Sequence, residues 1–159
     1  MAYVIGILLA AVVASFARAS AFDRDRAFYP TVIIVIASYY VLFAAMGGST
    51  RVLLVEVFVM AVFVLVAVLG FKRSSWLVVA GLAGHGLFDV FHGHVVQNPG
   101  VPEWWPAFCL AFDVGAAVFC LRARAAPASG EAAVRSVPVV DTGRVRREPA
   151  RESYRALAK

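Results

Sequence analysis

The chain has 159 residues, of which 62% are hydrophobic and 16% charged, with a formal net charge of +5. A soluble domain is typically about 45–50% apolar and about 25% charged, so this composition argues against an ordinary soluble globular fold. The charge is also unevenly spread. Arg122–Lys159 carries nine basic and four acidic residues, a surplus of five, whereas the first 121 residues carry six of each. The basic character belongs to a C-terminal tail attached to a nearly chargeless body, and no nucleic-acid partner is expected.

Five apolar runs follow one another, over residues 2–17, 31–46, 52–71, 76–96 and 105–121. The first ends at Arg18 and the Asp23-Arg24-Asp25-Arg26 joint. The second is entered through Tyr29-Pro30 and closed by Gly47-Gly48. The third lies between Arg51 and Lys72-Arg73, and the fourth runs from Trp76 to Val96. The fifth follows a joint rich in Pro, Gly and Trp and ends at Arg122. A bilayer-spanning helix needs about 20 apolar residues, within about 17–25. The third and fourth runs satisfy that directly, and the others by borrowing flanking residues. None alternates with the period of a barrel strand. The reading is an all-α polytopic membrane protein, a compact bundle of five transmembrane helices over residues 1–121.

Lys and Arg in the short joints set the expected orientation. Arg51 stands alone on the side shared by the N-terminus, the second joint and the fourth. The other side collects Arg18, Arg24, Arg26, Lys72, Arg73, Arg122 and Arg124. The N-terminus is therefore expected outside and the C-terminus in the cytoplasm. The small residues around Ala17–Ala19 resemble a signal-peptide cleavage site, but no Lys or Arg precedes the run, and cleavage would strand three arginines on the wrong side. Residues 122–159 read as a mostly disordered cytoplasmic tail. Near its end Arg147, Arg151 and Arg155 recur every four residues, a pattern suited to anionic lipid. High Ala, Val and Arg content fits a bacterial cytoplasmic (inner) membrane, spanned several times.

Against this apolar background the ionisable residues of the body stand out. His85, Asp89 and His92 fall within about 60° on one helical face, while His94 points about 180° away from His85. Asp113 lies on the next run, in one stripe with Trp105, Cys109, Ala116 and Cys120. The cysteines are about 16 Å apart along one axis and cannot bridge each other. At 1.5 Å per residue, Asp89, Asp113 and His85 lie about 10–16 Å below the outer surface, and His92 and Glu56 about 6–7 Å below it. Ser38, Tyr39 and Tyr40 can add hydroxyls near mid-depth. Ala80-x3-Gly84 and the cluster Gly81, Gly84 and Gly86 are expected to let another backbone approach the fourth helix closely.

An ionised side chain at the bilayer centre costs at least about 2.5–3.5 kcal/mol, so these groups must pair or line a cavity. His and carboxylate donors suit zinc, non-haem iron or manganese. The expected metal group has Asp89, His92 and Asp113 at its centre, with His85 and Glu56 flanking, in a pocket that opens outward. Asp89 with His92, or His85 with Asp89, is the natural chelating pair, because His85 and His92 stand two turns apart. Two other readings compete. The cluster can be helix–helix glue in a non-enzymatic membrane subunit or chaperone, working through protein partners or a second copy. It can also be a proton or ion relay, although the cytoplasmic halves of the third and fourth helices offer no matching polar groups.

His-x3-Asp-x2-His, then an Asn-Pro and aromatic joint, then Cys-x3-Asp, resembles a group of small bacterial integral-membrane proteins classed only as a domain of unknown function. The matching residues are His85, Asp89, His92, Asn98, Pro99, Cys109 and Asp113, about a fifth of the chain. The resemblance implies the multi-span hairpin and brings no reaction with it.

Overall fold

A computed structural model describes residues 1–47 and 49–125. The expectations for the tail beyond Ala125, including lipid contact through Arg147–Arg155, lie outside the described residues. The described residues form five helices: α1 (Ala2–Ala19), α2 (Phe28–Gly47), α3 (Thr50–Lys72), α4 (Ser75–Val95) and α5 (Trp105–Ala125), with a 3-10 turn over Phe22–Arg24. Four helices, α1, α2, α3 and α5, run longer than their apolar runs. α2 takes in Tyr29 and Pro30, because a proline in the first turn forfeits an N–H that has no intrahelical partner anyway. α5 continues through Arg122 and Arg124, cations that suit the negative end of the helix. Ser49 and Ser74 cap α3 and α4, their hydroxyls accepting from the amides of Val52 and Trp76.

Four of the helices, α1, α2, α3 and α5, are long and apolar enough to cross a membrane. α4 has the length, but His85, Asp89, His92 and His94 make it less apolar than the others. It packs against α3 and α5 and also touches α2. Around it the usual distribution is inverted. Large apolar side chains such as Leu8, Phe58 and Leu65 face outward, while the buried residues of α3 are Glu56, Ala67 and Gly70. A surface of that kind suits lipid better than water.

Successive helices run up and down, which sorts the joints to two ends. At one end Arg24 and Arg26 of the first joint, Gly70, Ser75 beyond the third joint, and Arg124 line one small pocket. At the other end the α4–α5 joint lies against the C-terminal end of α2. A Cβ on Gly100 would collide with the carbonyl of Phe43, so only glycine allows this approach.

The apolar core belongs to the basic end. Ile33, Ala67, Val78, Leu82, Phe112 and Ala116 pack there in one cluster. α1 is attached differently: among the described residues it packs on α5 and the 3-10 turn, and not on α2. Its buried face is Gly6, Ala10, Ala14 and Ala17, small residues that bring the α5 backbone close. Between α1, α2 and α5 lies an apolar cleft of about 640 Å³, lined by residues including Leu9, Val13, Val32, Phe108 and Phe112.

Candidate metal centre

The buried face of α4 is Val78, Gly81, Leu82, His85, Gly86, Asp89 and His92, spaced three or four residues apart. Its first half joins the apolar core, and its second half carries ionisable groups into the opposite end of the bundle. The facing stripe of α5 buries Cys109, Asp113, Ala116 and Cys120. Gly86 sets the spacing between the two helices, since a Cβ there would stand 3.1 Å from that of Asp113. The close approach brings Asp113 into reach of α4.

His85 is the hub. Its Nδ1 lies 2.7 Å from Asp113 Oδ2 and 3.4 Å from Asp89 Oδ2. Asp89 Oδ1 accepts a 2.6 Å hydrogen bond from the hydroxyl of Tyr40 on α2. All three members are sealed from solvent, His85 and Asp89 at 1% exposure and Asp113 at 0%. Asp89 Oδ2 and Asp113 Oδ1 have no hydrogen-bond partner among the described residues. One donor atom from each of His85, Asp89 and Asp113 falls within 4.8 Å of the others. A tetrahedral ion with bonds near 2.1 Å needs its ligands about 3.4 Å apart. The His85–Asp89 separation already has that value, and the His85–Asp113 hydrogen bond would have to open by about 0.7 Å to reach it.

A second polar group lies nearer the α4–α5 joint. His92 Nε2 is 2.8 Å from Glu56 Oε1, and Asn98 Nδ2 donates to the same oxygen at 2.8 Å and to the Tyr40 carbonyl at 3.2 Å. Glu56 Oε2 is buried without a partner among the described residues. The Tyr40 ring stacks on His92 with centroids 4.0 Å apart, so this tyrosine touches both groups.

All five expected site residues are buried in the half of the bundle toward the α4–α5 joint, but their grouping differs from the expectation. The centre is His85, Asp89 and Asp113; His92 leaves it and pairs with Glu56. The reason is axial position. Asp113 on α5 falls level with the His85–Asp89 pair, whereas His92, almost one turn past Asp89, falls level with Glu56 on α3. The expectation for Gly84 is also corrected. Gly84 is exposed, as is Ala80, and a Cβ on Gly84 would meet nothing within 4 Å. It sits about 100° around the helix from His85, off the buried face that Gly81 and Gly86 occupy. His94 is exposed, and both cysteines are buried and free.

Two contributors carry more than the sequence suggested. Of Ser38, Tyr39 and Tyr40, only Tyr40 enters the site: Ser38 bonds back to its own helix, and Tyr39 packs at a tilt against Trp105. Asn98 is the chain's one asparagine. Its Oδ1 accepts from the Gly100 amide, which fixes the turn and leaves its NH2 for the interior. No family model, no curated protein and no solved structure matches the chain.

Proposed function

We propose that this is a five-span protein of the bacterial inner membrane, N-terminus outside and C-terminus inside, that binds one divalent metal ion at His85, Asp89 and Asp113. Zinc, iron and manganese all suit the donor set. Membership of the group of small bacterial membrane proteins that the His-x3-Asp-x2-His and Cys-x3-Asp helices resemble is part of the same proposal. The fifth span is supported by the length of α4 and by its enclosure, which turns its acid and two of its histidines away from lipid. The orientation is supported by the gathering of Arg24, Arg26 and Arg124 at one end of the bundle.

The observation that carries the metal reading is the convergence of His85, Asp89 and Asp113 in one sealed group, with one oxygen of each carboxylate, Asp89 Oδ2 and Asp113 Oδ1, buried without a partner among the described residues. Carboxylate charge buried in a medium of low dielectric needs compensation. A divalent cation cancels that charge and gives the free oxygens a partner. Elemental analysis of detergent-purified protein is the test. Wild type is expected to retain one equivalent of metal, and Asp89→Ala and Asp113→Ala to retain less than a tenth of that. Wild type that carries no metal after incubation with zinc, iron and manganese would refute the reading.

A second reading has its own support. The bonds Tyr40–Asp89, His85–Asp113 and His92–Glu56 tie α2, α3, α4 and α5 together, as structural glue would. Under that reading the alanine variants lose stability and there is no metal to lose. A relay across the bilayer has less support, because the polar groups stop at His85 and Asp113 and the cluster around Leu82, Val78 and Ala116 lies beyond them.

A further inference from the structure

Glu56 is an unusual residue to bury on a helix otherwise turned toward lipid. Its Oε1 takes both available contacts, from His92 and Asn98, while its Oε2 takes none. Two contacts on one oxygen hold the carboxylate in a fixed pose and leave the other oxygen free to ligate. Its two partners, His92 and Asn98, line a cavity of about 480 Å³ at the α4–α5 joint, together with Gln97 and Glu103 among others. Glu103 is exposed there and adds a carboxylate to the rim. On the inner side, Tyr40 stands between this group and the His85 centre, its ring against His92 and its hydroxyl on Asp89.

We propose that Glu56 and His92 form an outer station for a divalent cation, which enters from the cavity at the α4–α5 joint and passes to the His85–Asp89–Asp113 centre when Tyr40 releases Asp89. The proposal rests on the metal reading of that inner centre. The station supplies one carboxylate oxygen and one imidazole, with the Asn98 NH2 holding the other carboxylate oxygen in place. Two protein donors with water filling the remaining positions make a weaker site than three converging buried donors, which is what a point of passage requires. The joint end is where an ion can arrive, because the apolar cluster closes the other end.

Co2+ uptake by metal-free, full-length protein in detergent, followed by visible absorption after rapid mixing, tests the passage. Glu56→Gln is expected to slow loading at least tenfold while the final stoichiometry and equilibrium affinity of the inner site stay within about threefold of wild type. Tyr40→Phe, which frees Asp89 but keeps the ring, is expected to speed loading. A second measurement does not depend on Glu56→Gln loading normally. Asp113→Asn is expected to keep one weak Co2+ that Asp113→Asn combined with His92→Ala does not hold. Wild-type loading rates in Glu56→Gln, or no residual weak site in Asp113→Asn, would overturn the station and leave the inner centre standing. Absence of Co2+ uptake by wild type would remove the inner centre itself.

Discussion

Tyr40 does two jobs with one side chain. Its ring covers His92, and its hydroxyl is the hydrogen-bond donor to Asp89 Oδ1. Removing the hydroxyl leaves a carboxylate oxygen buried with nothing to accept from. Interhelical hydrogen bonds in membranes average about 0.6 kcal/mol in double-mutant cycles and reach about 1.7, and the acceptor here is a carboxylate. Tyr40→Phe is therefore expected to destabilise the metal-free protein by about 1–2 kcal/mol, measured by denaturant unfolding in detergent. With metal bound the penalty should shrink, because the ion fixes Asp89 independently. At this scale the sequence was informative about residue type and depth. A rise of 1.5 Å per residue put His92 level with Glu56, and Asp113 between His85 and Asp89, which are the pairings observed. Spacing along α4 alone leaves Asp89–His92 and His85–Asp89 as alternative pairs, and the level of Asp113 on α5 separates them. Asn98 escaped selection because a joint residue beside a proline reads first as a turn former.

Glycine position decides how the helices meet. Gly86 and Gly84 are two residues apart on α4 and have opposite surroundings, one against Asp113 and the other open. Gly86→Leu would force α4 and α5 apart where His85 must reach Asp113. It is expected to abolish metal retention and to lower the thermal midpoint by several degrees. Gly84→Leu is expected to change neither. Elemental analysis and a melting curve on the pair check both statements, and equal effects would show that the α4–α5 spacing is not what holds the centre. Helix number and approximate limits were legible because apolar runs cut by Arg, Pro and Gly leave little choice. The small-residue face was harder to find. Gly6, Ala10 and Ala14 repeat every four residues and form the tightest seam in the bundle, yet in a helix already rich in alanine the repeat does not stand out.

Across the whole molecule, polarity is sorted along the axis as well as from outside to inside. The half toward the α4–α5 joint holds the buried acids and all three histidines, two of them buried; the half toward Arg24, Arg26 and Arg124 holds the apolar cluster. That division was half visible beforehand, in the plain Val, Leu and Ala of the cytoplasmic halves of the third and fourth helices. What composition does not encode is neighbourhood. α1 and α2 follow each other along the chain and do not pack together, while α1 packs on α5, the helix farthest from it in sequence.

This attachment makes α1 an outrigger. Every side chain of both polar groups comes from α2, α3, α4, α5 or the last joint, and α1 supplies none. Deleting residues 2–19 would bare the Ala111–Ala116 flank of α5 and is expected to lower yield and solubility. The shortened protein should still hold metal at the wild-type ratio when assayed by elemental analysis.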